Sequence, residues 1–168
     1  GNLTDAAVLT GDQPLPLQSE DLVSLCRILC GEAAALAALQ EQQLIFRCDE
    51  EERLVAVNAQ GVERLLLNLL SNAMKFTPKG GTITVELRFE NGQVELSVSD
   101  TGTGISPQLL PTLFDRYRHV ERTDPAPHGL GLGLPICHHI AKGHDGTLTA
   151  SSVEGVGTRV TFTFPDRI

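Results

Sequence analysis

The sequence predicts an α+β fold: a two-layer α/β sandwich with three helices on one face of a mixed, mostly antiparallel sheet of about five strands. Three observations predict it. Leucine-rich stretches of helical period fill Leu22–Gln40 and Ala59–Phe76. Two alternating runs, Thr82–Glu90 and Gln93–Asp100, flank Asn91-Gly92, a strong signal for a tight hairpin. A helix over Leu132–Lys142 and a closing pair of strands, Leu148–Ser152 and Thr158–Phe164, complete the pattern, and no internal repeat is visible.

The elements follow in order. Residues 1–18 carry Gly11, Pro14 and Pro16 and read as a tail or linker, with the folded domain placed at 17–168 and the tail proper at 1–16. Ser19 is positioned to cap the first helix, with Glu20 and Asp21 in its opening turn. Leu44–Cys48 reads as a strand and Val55–Val57 as a short second one. The Ala59–Phe76 helix stops at Pro78 and Gly80-Gly81, which cannot continue it. After the hairpin, a short helix is expected over Pro107–Phe114, and the polar, proline-bearing residues 115–128 read as a mobile loop.

At 168 residues and 41% hydrophobic, the chain can bury a real core, built from Leu, Val, Ile and Ala because it has no Trp. A net charge of −8 argues against a general nucleic-acid or anionic-membrane surface but leaves room for a nucleotide pocket, which needs only local donors and a metal. No apolar run approaches the ~20 residues that span a bilayer, and no secretory signal opens the chain. Opening on Gly1, the chain reads as a piece of something larger. Cys26, Cys30, Cys48 and Cys137 show no paired CxxC spacing and read as free thiols in a reducing cytoplasm; Cys26 and Cys30 share a helical face that a metal would also suit.

Chemistry gathers in three segments. On the second long helix, Asn68, Asn72 and Lys75 fall within roughly 60° of one another, while Val62, Leu65, Leu66, Leu69, Leu70 and Ala73 spread over the remaining arc. Amide oxygens suit a hard cation such as Mg²⁺ and lysine suits phosphate; a merely solvated helix face fits the same pattern. Asp100-Thr-Gly102-Thr-Gly104-Ile105 comes directly after a strand, where a carboxylate can accept from an exocyclic amine and glycines let backbone approach a flat ligand. His128-Gly129-Leu130-Gly131-Leu132-Gly133-Leu134 leads into a helix, a setting for phosphates that is neither a Rossmann fingerprint nor a P-loop.

In this order, the segments resemble the catalytic and ATP-binding domain of sensor histidine kinases, within the GHKL superfamily that includes DNA gyrase and heat-shock chaperone ATPases. ERLLLNLLSNAMKFTP at residues 63–78 resembles the N box, DTGTGI at 100–105 the first glycine box and LFDRY at 113–117 the F box. GLGLGL at 129–134 resembles the second glycine box, and Gly155-Val-Gly157-Thr158 a final glycine-threonine element. The resemblance covers roughly residues 17–165 and implies the histidine-kinase ATP-binding fold, with ATP and Mg²⁺ as cofactors. It implies that Asn72 ligates Mg²⁺, with Asn68 beside the metal and phosphates, Lys75 reaching phosphate and Phe76 lining the pocket. Asp100 would bond adenine N6, Gly102, Gly104 and Ile105 would shape the base pocket, and Thr158 would be a secondary contact near the base. Residues 115–128 would form an ATP lid, hinged at the phosphate side by Gly129, Gly131 and Gly133 with Leu130, Leu132 and Leu134 between and beyond them.

Hydrolytic members of that superfamily carry a glutamate where this chain has Asn68, and Glu63 lies about 140° from Asn68 on the helical wheel. Phosphoryl transfer to a nucleophile supplied by another domain is therefore the expected activity. The resemblance places that histidine on a dimerisation hairpin absent from this sequence, of which the first residues would be a stub. It also implies a response regulator as partner, a homodimeric full-length protein, no nucleic-acid or direct membrane contact, and a cytoplasmic domain whose full-length parent can be membrane-anchored. His144-Asp145, in a turn, is a poor phosphoacceptor. His119 stands where many sensor kinases carry a lid arginine, leaving Arg116, Arg118 or Arg122 to reach the γ-phosphate. The competing readings are a nucleotide-binding regulator without transfer and an anti-sigma-factor serine kinase of the same superfamily.

Overall fold

The computed structural model describes residues 15–102, 130–153 and 155–167. The order is β1 (Gln18–Asp21), α1 (Leu22–Leu39), β2 (Gln43–Cys48), β3 (Leu54–Val57), α2 (Ala59–Phe76), β4 (Thr82–Glu90), β5 (Gln93–Asp100), α3 (Leu130–Gly143), β6 (Thr147–Val153) and β7 (Gly157–Pro165). A five-stranded sheet runs β2-β4-β5-β7-β6, parallel only between β2 and β4, and β1 pairs with β3 in a separate two-stranded sheet. The predicted mixed α+β sandwich is the observed one. The expected helix at 107–114 and the lid loop at 115–128 lie outside the described residues.

Alternation along the strands builds the core, because every second side chain points at the helices. Cross-strand rows on that side read Cys48–Leu87–Leu96–Phe162–Leu148, then Phe46–Val85–Val98–Val160–Ala150. Val62, Leu65, Leu66 and Leu70 of α2 are fully buried, as are Cys137 and Ala141 of α3. The β4–β5 hairpin turns at Asn91 and Gly92, with φ of 56° and 74°. Those paired left-handed residues give the turn whose twist matches the strands, as Asn-Gly predicts.

Two expectations about the N-terminal segment are corrected. Gln18–Asp21 is a strand, so Asp21 rather than Ser19 caps α1, accepting from the Ser24 amide at 3.3 Å and the Arg53 amide at 3.0 Å. Leu15, assigned to the tail, is 8% exposed and its amide donates to the Gly143 carbonyl at 3.4 Å. Its side chain fills a socket that two glycines leave open: a Cβ at Gly143 would lie 2.7 Å from Leu15 Cγ, and one at Gly61 3.5 Å from its Cδ1. Leu15→Ala will cost about 2–3 kcal/mol, the low end for a buried leucine because the socket opens on solvent; urea denaturation measures it, and a loss under 1 kcal/mol would refute the socket.

A third correction concerns α1, which is long and apolar enough to cross a membrane by length and composition. Here it is a packed helix with Leu22, Val23, Cys26, Leu29, Cys30, Ala33 and Ala37 buried. The cysteines are free, with burial pushing Cys30 and Cys137 up to about 12, and no metal-binding group of three His, Cys, Asp or Glu exists among the described residues.

Candidate functional site

The site lies where the C-terminal half of α2 meets the ends of β5 and β7. The last cross-strand row on the helix-facing side reads Leu44–Ile83–Asp100–Thr158–Ser152, so the apolar rows end in a carboxylate and two hydroxyls. Asp100 is half-buried, and its Oδ1 accepts from the Gly102 amide at 2.8 Å. Burial pushes the Asp100 carboxyl above its ordinary value, and the amides of Gly102 and Thr158 pull it partly back. A carboxylate has about four acceptor positions, so Asp100 retains capacity for a further donor.

Gly102 holds this carboxylate against α2. A Cβ there would sit 2.5 Å from the Phe76 carbonyl oxygen and 2.8 Å from Asp100 Oδ1, so any side chain would push the loop away from the helix. A Cβ at Gly157 would come within 2.0 Å of the Asp100 carbonyl oxygen, which ties the start of β7 to the same point. The Thr158 hydroxyl is engaged by Ser152 Oγ at 2.9 Å, and Ser152 Oγ also donates to the Gly157 carbonyl at 3.0 Å. Ser152 carried no sequence signal; only register brings it here.

On α2, Asn72 is 9% exposed and its Nδ2 has no hydrogen-bond partner among the described residues. An orphaned buried amide is costly and points to an absent ligand. Because amide N and O are interchangeable in such assignments, either a donor or a hard-cation oxygen can occupy that position. Phe76, one turn on, is half-buried against the core. Asn68, one turn back, is half-buried, and its side chain bonds the buried Cys137 thiol of α3, whose Sγ lies 3.7 Å from the Leu65 carbonyl oxygen.

Lys75 is exposed, on a face shared with Glu63, Arg64, Leu67 and Ser71. The helix therefore has an ordinary solvent face beside the asparagine stripe, and Lys75 belongs to that face more than to the stripe. The apolar count of α2 concealed this, because Leu67 is one of its leucines and is 41% exposed. The end of the helix is fastened by Gln42, whose Nε2 donates to the Met74 carbonyl at 2.8 Å and the Thr77 carbonyl at 2.6 Å, capping groups that would otherwise be unpaired. Glu63 faces solvent, as the helical wheel requires.

The third helix, expected from Leu132, starts at Leu130, so Gly131 joins Gly133 inside its first turns with the backbones of Leu130, Leu132 and Leu134. Helix packing on α2 overrides the ~1 kcal/mol that glycine costs in a helix. Gly104, Ile105, Arg116, Arg118 and Gly129 lie outside the described residues. His144 is 1% exposed with both ring nitrogens engaged, Nδ1 donating to the Ile140 carbonyl at 2.8 Å and Nε2 accepting from the Asn58 amide at 3.0 Å. It is a structural residue, out of reach of a phosphoryl group.

A family model described as histidine kinase-, DNA gyrase B-, and HSP90-like ATPase matches residues 57–168. The chain belongs to that family. It is homologous to the ATP-binding catalytic domains of sensor histidine kinases: Hik2 of Thermosynechococcus vestitus is 35% identical over 151 residues, covering 88% of this chain and 39% of Hik2. The chain thus spans about two fifths of that relative's length. Among solved structures, the catalytic domain of the histidine kinase ThkA superposes with a TM-score of 0.80 at 23% identity, covering 91% of this chain and 97% of that one. The mycobacterial sensor histidine kinase MprB gives a TM-score of 0.72 at 26% identity, covering 89% and 99%. ThkA has also been solved in complex with the response regulator TrrA.

Proposed function

We propose that this domain binds ATP with Mg²⁺ and transfers the γ-phosphoryl group to a histidine on a dimerisation hairpin of its parent protein, with a response regulator as the next acceptor. The observation that carries the reading is Asp100, a half-buried carboxylate at the end of an otherwise apolar face, held by the Gly102 amide and ready for an exocyclic amine. Asn72 would hold Mg²⁺, which when bound supplies neutralising charge to the phosphate oxygens. Asn68 and Lys75 would stand at the phosphates, and Phe76, Gly102, Gly104, Ile105 and Thr158 around the base. Gly129, Leu130, Gly131, Leu132, Gly133 and Leu134 would form the phosphate side of the lid, and Arg116 or Arg118 would supply the lid cation.

Catalysis in this arrangement is positioning and charge, because the position one turn before Asn72 holds Asn68 and not a carboxylate that could activate water. Asn68 accepts no proton, and Glu63 faces away. The proposed domain is cytoplasmic and acts on a neighbouring domain. His119 in place of a lid arginine favours a second reading, a domain that binds nucleotide and regulates without transfer.

Calorimetric titration with ATP and ADP, with and without Mg²⁺, tests the binding. Absence of binding at millimolar nucleotide overturns it. Joining the domain to its hairpin and assaying acid-labile phosphate then separates kinase from regulator. Asn72→Ala will reduce the gain in ATP affinity brought by Mg²⁺ at least tenfold while leaving metal-free ADP binding within threefold, because it removes the ligand oxygen without adding charge; an unchanged Mg²⁺ effect would remove Asn72 from the metal site.

A further inference from the structure

Helix α2 ends under a constraint that its own sequence creates. A continuing helix would give the Met74 carbonyl the amide of residue 78, but that residue is Pro78, which has no N–H. Gln42, just before β2, supplies the missing donor. Its side-chain nitrogen reaches the Met74 carbonyl at 2.8 Å and the Thr77 carbonyl at 2.6 Å. Only 7% of Gln42 is exposed, so an amide has been taken out of water to hold two carbonyls at a helix end.

Two paths lead from this clamp to Asp100. Between the two held carbonyls stands Phe76, whose own carbonyl oxygen would lie 2.5 Å from a Cβ at Gly102. The Gly102 amide in turn donates to Asp100 Oδ1 at 2.8 Å. The second path runs through the neighbours of Gln42. The Gly80 amide donates to the Glu41 carbonyl at 2.8 Å, and the Gln43 amide to the Gly81 carbonyl at 3.0 Å. A Cβ at Gly81 would overlap the Thr77 methyl and lie 3.0 Å from the Thr101 hydroxyl oxygen. Thr101 joins Asp100 to Gly102, and its hydroxyl accepts from the Thr82 amide at 3.0 Å. Both paths close on the loop that carries the carboxylate.

We propose that Gln42 is a positioning residue for Asp100: by seating the last turn of α2 against Gly102, it sets where the carboxylate points. The tolerance is narrow, because a displacement of roughly 0.5 Å carries an acceptor out of hydrogen-bond range. The functional half of the proposal rests on Asp100 receiving the base amine of ATP. Its structural half, the seat of Gly102, is testable without nucleotide.

Gln42→Met keeps the volume and removes both donated bonds. Gln42→Asn, the milder second variant, keeps the amide but leaves it one methylene short of the carbonyls. In nucleotide-free protein, hydrogen exchange of the Gly102 amide is expected to rise at least tenfold in each variant. The Asp166 amide, bonded to the Gly92 carbonyl at the far end of the β4–β5 hairpin, is expected to stay within about threefold. ATP affinity, titrated well below the melting temperature, is expected to fall about fivefold or more. In an Asp100→Ala background the same Gln42 substitution is expected to change ATP affinity less than about twofold, because the group it positions is gone. A role in stability alone would give equal losses in both backgrounds. Unchanged Gly102 exchange, or an ATP loss undiminished by Asp100→Ala, would overturn the proposal. A parent domain that binds no ATP would overturn the ATP reading instead, and Gly102 exchange would still decide whether Gln42 seats the loop.

Discussion

Asp100→Ala is expected to weaken ATP binding about 10- to 150-fold, the worth of a hydrogen bond to a charged group at about 1.5–3 kcal/mol. Asp100→Asn, which keeps an acceptor for the Gly102 and Thr158 amides without the buried charge, will leave folding stability unchanged or slightly higher. Burial raises the Asp100 pKa, so the ionised carboxylate costs the folded state free energy that two backbone amides only partly return. Losing affinity without losing stability is the signature of a group kept for a ligand. Asp100→Asn makes a finer case. Adenine presents an N6 amine where guanine presents an O6 acceptor; a carboxylate can only accept, whereas an amide can turn its nitrogen toward O6. The asparagine variant is therefore expected to narrow the preference for ATP over GTP, measured by titrating both nucleotides. An ATP affinity within threefold of the parent in Asp100→Ala would remove Asp100 from the base pocket.

His144→Ala is expected to destabilise the fold by about 3–4 kcal/mol, because it empties a packed site and strands a backbone donor. His144 lies 5.5 Å from each of the Phe162 and Phe164 ring centroids, and its Nε2 receives the Asn58 amide. Asn58 in turn caps α2 through Oδ1, accepting from the Gly61 amide at 2.8 Å. One imidazole thus joins the end of α3 to the start of the helix bearing Asn68 and Asn72. Its Nε2 must stay unprotonated to accept, and burial lowers its pKa from the ordinary 6.5. A histidine whose folded pKa is depressed contributes full stability above its unfolded value and loses it as pH falls below about 6.5. Denaturation midpoints at pH 7.5 and 5 are expected to differ more in the parent than in His144→Gln. Equal shifts in the two would show that other groups carry the acid sensitivity.

His144 also shows where sequence reading stops. In the chain it is a histidine in Lys-Gly-His-Asp-Gly, a turn with no periodicity to report burial. Its partners, Asn58 and Phe162, come from elements far away in sequence, so the network exists only once α3 lies across α2 and β7. Leu15 and Ser152 behave alike. Leu15 stands among prolines and looks like tail until two glycines on separate helices leave it a socket. Ser152 is one serine in a polar strand until register sets it beside Thr158. Gln42 follows the same logic, because carbonyls more than thirty residues away give its amide a role.

Local patterns, by contrast, carried most of the architecture. Asn91-Gly92 specified the hairpin because its backbone requirement is met by two adjacent residues, and the alternation on either side set which side chains face the helices. The candidate site was legible as motifs in order: the Asn68–Asn72 stripe, Asp100 with Gly102, and the glycines before α3. By itself the sequence determined the fold class, the family and the residue types that would meet a nucleotide, because these depend on local periodicity and short spacings. Tertiary structure alone decided that Asn72 is buried with an amide unpaired among the described residues while Lys75 lies on the solvent face, and that Asp100 ends an apolar row. It also decided that Ile28, Leu36 and Leu39 of α1 stay exposed while the other face of that helix enters the core. Burial is a property of what packs against a residue, and those contacts come from parts of the chain that no local window contains.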